Sequence, residues 1–128
     1  MRILVDTHIL IWWMGFPKLV PKAIRVSIEE SKNQVFVSAV SAWEIAFKTA
    51  RKRLEFPATF LDDFDKSLAA ISFSPLNLTT EHAVFAGRML VSHKDPFDRL
   101  IAGQAICEYM ALATVDSAMR EMGASVIS

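Results

Sequence analysis

A single cysteine, Cys107, is all the thiol chemistry that the 128-residue chain carries. It excludes an internal disulfide and a cysteine-rich zinc site, and its apolar neighbourhood reads as the setting of a small buried hydrophobe. An excess of one charge sign is missing too, since 14 basic residues balance 14 acidic ones. Nothing global draws the protein to a polyanion, so a nucleic acid would be held by local patches or by bound cations. Long hydrophobic runs are absent. The apolar stretch from Ile9 to Trp13 is too short for the core of a signal peptide, and Asp6 interrupts the approach to it. No segment nears the roughly 20 apolar residues of a membrane span. Internal repeats, low-complexity tracts and linkers are also lacking. These absences fit a cytoplasmic protein with no membrane association, built as one domain over residues 1–128. The apolar fraction of 52% and mean hydropathy of +0.30 run slightly high, which implies a dense core or an apolar surface that a partner covers.

What is present is an alternation of strand and helix patterns. Ile3-Leu4-Val5 is a short β-branched run that predicts a buried strand ending at Asp6. Ile9 to Met14 reads as a short helix closed by Gly15 and Pro17, and Pro21 opens a helix to about Lys32. Gln34 to Ser38 predicts the second strand, followed by a helix from Ser41 to Leu54 and another from Pro57 to about Ala70. A short strand is expected over Ile71 to Phe73, then a helix capped by Thr79 or Thr80 and ending near His93. A helix from Asp95 through Tyr109, a strand from Ala111 to Val115, a short helix from Ser117 to Met122 and a strand from Ser125 to Ile127 complete the chain. Such an alternation implies a parallel sheet with helices on both faces.

Ligand sites in open α/β sheets form beyond the carboxyl ends of the strands. Asp6 and Asp116 each follow a predicted strand directly, and Glu44 falls early in the helix after the second strand. Asp95 and Asp98 open a later helix and share a face at spacing three. Each acid also has a purely local use. Asp6, Asp95 and Asp116 can cap helices, Ser41-Ala42-Trp43-Glu44 fits a capping box, and Asp98 suits the positive end of a helix dipole. These local uses do not explain why the acids gather at one sheet edge. Two carboxylates about 4 Å apart repel by roughly 4 kcal/mol at an effective dielectric near 20, so a cluster of them takes up cations or protons. Hard oxygens with few histidines and no thiolate cluster favour Mg²⁺ or Mn²⁺ over zinc. Metals so held suit phosphodiester hydrolysis.

The segments Leu4-Val5-Asp6-Thr7-His8-Ile9-Leu10 with Trp12-Trp13, Ser38-Ala39-Val40-Ser41-Ala42-Trp43-Glu44-Ile45, His93-Lys94-Asp95-Pro96-Phe97-Asp98-Arg99-Leu100-Ile101-Ala102 and Thr114-Val115-Asp116 resemble the PIN domain, most of all its VapC-type toxin branch. Each motif alone is weak, whereas the four in order along the chain are specific. The resemblance implies a three-layer α/β/α sandwich around a mostly parallel five-stranded sheet, and Mg²⁺- or Mn²⁺-dependent endoribonuclease activity. It implies that Asp6, Glu44, Asp98 and Asp116 are the catalytic, metal-binding acids. Asp95 becomes a supporting acid, and Thr7 and Thr114 orient carboxylates or a metal water. The partners it implies are RNA, a cognate antitoxin that occupies the active-site groove, and a second copy of the chain. The chain departs from the commonest pattern at Gly103, where a bulkier residue is expected, and at Met119, where an aromatic one is.

Other residues have plainer readings. Lys48 is four residues after Glu44, spaced for an intrahelical ion pair, and with His93 and Lys94 it is a possible RNA contact. Arg51, Lys52 and Arg53 complement a helix C-terminus. His8 is expected packed or exposed on the first helix, and Trp12, Trp13 and Trp43 in the core. Competing functions fit less well. A phosphate-accepting receiver domain needs paired acids after the first strand and a lysine after the fifth, and a haloacid-dehalogenase-type phosphatase needs Asp-x-Asp-x-Thr; Asp6-Thr7-His8 meets neither requirement. A catalytically silent binding module on the same fold is the remaining alternative.

Overall fold

The computed structural model describes residues 1–92 and 95–128, so His93 and Lys94, expected as possible RNA contacts, lie outside the described residues. Five strands, β1 (Arg2–Val5), β2 (Gln34–Ser38), β3 (Phe73–Leu76), β4 (Ala111–Ala113) and β5 (Val126–Ile127), form one wholly parallel sheet in the order β3-β2-β1-β4-β5. β1 is central, and its side chains divide between two cores. Ile3 and Val5 pack with Ile24, Val37 and Ile45, while Leu4 packs with Ile101, Ala105 and Leu112. A strand covered on both faces has no polar side, which is why its sequence reads as an unbroken apolar run.

The helices are α1 (Thr7–Gly15), α2 (Lys22–Glu29), α3 (Ala39–Ala50), α4 (Ala58–Asp62), α5 (Phe64–Ala70), α6 (Thr80–Arg88), α7 (Pro96–Cys107) and α8 (Ala118–Glu121). A 3₁₀ turn over Pro17–Leu19 links the first two. Several bounds differ from the sequence expectation for identifiable reasons. α3 starts two residues early, at Ala39, because Ser38, not Ser41, caps it by accepting the Val40 N–H. The single helix expected from Pro57 to Ala70 is broken at Asp63, whose backbone leaves the helical region and whose side chain caps α5. β3 lies further along than Ile71–Phe73, and Pro75 within it is tolerated because β3 is an edge strand. α6 ends at Arg88 rather than near His93, where Met89 turns extended. Trp43, expected in the core, is 52% exposed, and Cys107 is half-buried.

α6 and α7 meet at Gly103. A Cβ built there would stand 3.0 Å from the Ala86 Cβ, so the glycine is what lets the two helices touch. Fully buried His82 on α6 fixes the same contact by hydrogen bonds. Its Nδ1 accepts the Thr79 N–H at 3.1 Å, which leaves Nε2 to donate to Glu108 at 2.9 Å. That bond, reinforced by Arg2, holds the Glu108 carboxyl below its usual range. An acid lowered in this way adds stability that is whole above 4.5 and is lost as pH falls through the depressed value.

Two outcomes follow for stability. Gly103→Leu destabilises the fold by about 1–3 kcal/mol through overpacking, read as a lower urea midpoint. The melting temperature of Glu108→Gln falls less steeply than that of the wild type between neutral pH and about pH 3; equal slopes would remove Glu108 from the acid response.

Candidate active site

In chain order the strands step from β1 to β2 to β3 on one side, and β4 then returns to the other flank of β1. The switch point lies at the carboxyl ends of β1 and β4, where ligands of open α/β sheets bind. Asp6 leaves β1 there, its N–H donating to the Ala113 carbonyl at 3.0 Å. One carboxylate oxygen accepts the Ile9 N–H at 2.9 Å and so caps α1, and the other accepts the Thr114 hydroxyl. The capping reading and the cleft reading of Asp6 thus describe the same side chain in the same pose. Asp6 is 5% exposed, and burial pushes its carboxyl above the usual range. The Thr114 and Ile9 hydrogen bonds and His8 oppose that shift, and the Asp98 charge adds to it. In the metal-free chain such an acid costs nothing below its ordinary 3.8, and the cost is complete only above the raised value. A cation beside it offsets that cost.

The remaining acids arrive from separate elements. Thr114 Oγ1 accepts the Asp116 N–H at 3.0 Å, so one hydroxyl serves two aspartates, and Asp116 in turn accepts from Ala118 at 3.0 Å. Glu44 lies in the second turn of α3, too far along for the capping box expected with Ser41, and its carboxylate is left for the cleft. Its Oε2 is 2.6 Å from the Lys48 ammonium, the ion pair that spacing four allows. Ser41 instead shares a 2.8 Å hydrogen bond with Thr7, tying the first turn of α3 to that of α1. Thr7 therefore braces the two helices, and its hydroxyl bonds to Ser41 instead of orienting a carboxylate. Exposed Asp95 caps α7 through the Phe97 and Asp98 N–H groups, with Pro96 at the first helical position. Asp98 is half-buried in the first turn of α7.

Asp6, Glu44, Asp95, Asp98 and Asp116 line a single cleft of about 310 Å³. Thr7, His8, Trp12, Lys48 and Val115 complete its wall. Sequence reasoning set His8 and Trp12 aside and gave Ser41 only a capping role. The signal for the first two was available, since His8 and Trp12 are one turn apart on the helix that Asp6 caps, and their rings lie 6.1 Å apart. The donor set is hard oxygen throughout and suits Mg²⁺ or Mn²⁺. Among the described residues no three acid, imidazole or thiol groups converge closely enough to grip an ion as they stand. The Lys48 ammonium on Glu44 Oε2 would compete with a cation for that acid.

A parallel α/β sheet with carboxylates gathered at its switch point defines the class: an acidic-site domain suited to divalent cations and anionic substrates. Residues 3–125 match the family model described as PIN domain, and the chain belongs to that family. It is similar to Ribonuclease VapC22 of Mycobacterium tuberculosis, with 27% identity over 124 residues that cover 92% of this chain and 89% of the relative. The fold is shared with VapBC2 from Rickettsia felis, solved bound to a promoter DNA fragment, at a TM-score of 0.72 and 14% identity over 99% of this chain and 98% of that one. It is shared too with the DNA-bound VapBC of Salmonella typhimurium, at a TM-score of 0.67 and 17% identity over 99% and 97% of the two chains.

Melting tests whether this cleft binds a divalent cation, with the following expected outcome. Mn²⁺ at about 100 times its dissociation constant stabilises the wild type by about 2.7 kcal/mol. Asp98→Asn keeps its melting temperature in EDTA and loses most of the Mn²⁺ gain. An undiminished gain in the variant removes Asp98 from the ion site.

Proposed function

We propose that this chain is the toxin of a VapBC-type toxin–antitoxin module: a Mg²⁺- or Mn²⁺-dependent endoribonuclease that hydrolyses phosphodiester bonds of RNA. The observation that carries the reading is the gathering of five acids at the switch point of a PIN-family sheet. Its similarity to the mycobacterial Ribonuclease VapC22 supports it. One PIN domain over residues 1–128 carries the activity in this reading, and the protein acts in the cytoplasm. Among the described residues no helix is long and apolar enough to cross a membrane. Relatives of this fold solved as VapBC assemblies support an antitoxin partner. A homodimer is in keeping with apolar side chains left exposed, among them Trp43, Phe85 and Leu90.

In this reading Asp6, Glu44, Asp98 and Asp116 hold the metal, and Asp95 supports them by fixing the start of α7. Once bound, the ion activates water and neutralises charge on the phosphate. The chain's own residues do the rest. Thr114 points Asp6 and Asp116 into the cleft. Lys48, released from Glu44, becomes a cation on the cleft wall for a flanking phosphate, a role that His93 and Lys94 share in this proposal. Burial of Asp6 and Glu44 keeps the site's dielectric low, so each charge contact counts for more than in water.

Purified protein is expected to cleave total tRNA or rRNA in Mg²⁺ or Mn²⁺ and not in EDTA. Asp6→Asn and Asp98→Asn fold normally and lose more than about 100-fold in rate, beyond the 10–100-fold usual for outer supporting groups. Full activity in both variants overturns the site assignment. Metal binding with no cleavage of any RNA favours the silent binding module instead.

A further inference from the structure

Glu44 and Asp98 lie on different helices, and a buried polar joint fastens those helices together. Ser38, the cap of α3, donates its hydroxyl to Gln104 Oε1 of α7 at 2.5 Å while accepting the Val40 N–H at 2.9 Å. Both side chains are fully buried. Gln104 Nε2 donates to the Asn77 carbonyl at 3.3 Å and stands 3.4 Å from His82 Nδ1. The amide is therefore oriented by its surroundings, with its oxygen toward Ser38 and its nitrogen toward α6 and the segment before it.

The spacing gives this joint leverage. Glu44 is six residues after Ser38, and Asp98 is six residues before Gln104. Six residues of helix span about 9 Å, so a tilt of about 10° at the joint moves either acid by about 1.5 Å. Carboxylate oxygens bind Mg²⁺ at about 2.0–2.1 Å with little tolerance, so a displacement of that size decides whether two acids reach one ion. Packing alone does not require a glutamine here. Methionine has a similar volume and would fill the same space between α3, α6 and α7. What methionine lacks is the directed oxygen that fixes Ser38.

We infer that Gln104 is a positioning residue of the metal site: through Ser38 it sets the separation of Glu44 from Asp98, and thereby the affinity of the cleft for Mn²⁺. The inference rests on the carboxylate metal site proposed above and goes beyond it by assigning a function to a residue that does not line the cleft.

The test is a Mn²⁺ titration followed by electron paramagnetic resonance of the free ion, on proteins with native circular dichroism well below their melting temperatures. Gln104→Met and Ser38→Ala each weaken Mn²⁺ binding by about 10–100-fold, and the double variant is no weaker than the worse single, because both break one bond. Leu68→Ala, a cavity in the core on the other face of the sheet, stays within about twofold of the wild type although it loses stability. Wild-type affinity in Gln104→Met, or equal weakening in Leu68→Ala, overturns the positioning role alone. Failure of the wild type to bind Mn²⁺ overturns the metal site itself, and this inference with it. Should Gln104→Met not fold, Ser38→Ala against Leu68→Ala decides the question.

Discussion

Carboxylates crowded into one cleft repel one another, and the architecture at the switch point is organised around that repulsion. Left to themselves the acids would swing into water. Here hydroxyl groups hold them or their helices. Thr114 binds Asp6 and the backbone of Asp116, Thr7 and Ser41 tie α1 to α3, and Ser38 ties α3 to α7. A hydroxyl suits this work because it donates and accepts at once, satisfying two neighbours without adding charge. The result is a site whose acids are individually anchored, with burial pushing the Asp6 carboxyl above its usual range.

Much of this was legible in the sequence because it rests on short-range patterns. The apolar run Ile3-Leu4-Val5 and the acid after it read as a buried strand and its terminus; the alternation of patterns implied a parallel sheet with two covered faces. What misled was competition between equally good local signals. Ser38 and Ser41 are both sound caps, and the choice fell to Ser38 because its hydroxyl also meets Gln104, a contact 66 residues away that no window reveals. Asp63 broke a helix that periodicity would have continued. Trp43 follows the stripe of its helix, yet its ring lies over Phe47 and Phe97 on the outside instead of entering the core.

The cleft shows the same division. That acids stand at strand ends was readable one residue at a time, and so was Lys48 beside Glu44; that His8 and Trp12 face the same cleft as Lys48 was not read, because it depends on how α1 and α3 cross. Gly103 offers the converse case: a small residue where a larger one was expected is explained once Ala86 is seen against it.

The two margins of the sheet carry a consequence for assembly. β3 contains Pro75, which lacks the N–H a neighbouring strand would need, and β5 is only two residues long. Both margins are poor templates for another strand, which disfavours growth of the sheet by main-chain pairing. Contact with another copy of the chain or with a partner protein is thereby left to side chains on the helical faces, where recognition depends on sequence and not on the backbone that all proteins share.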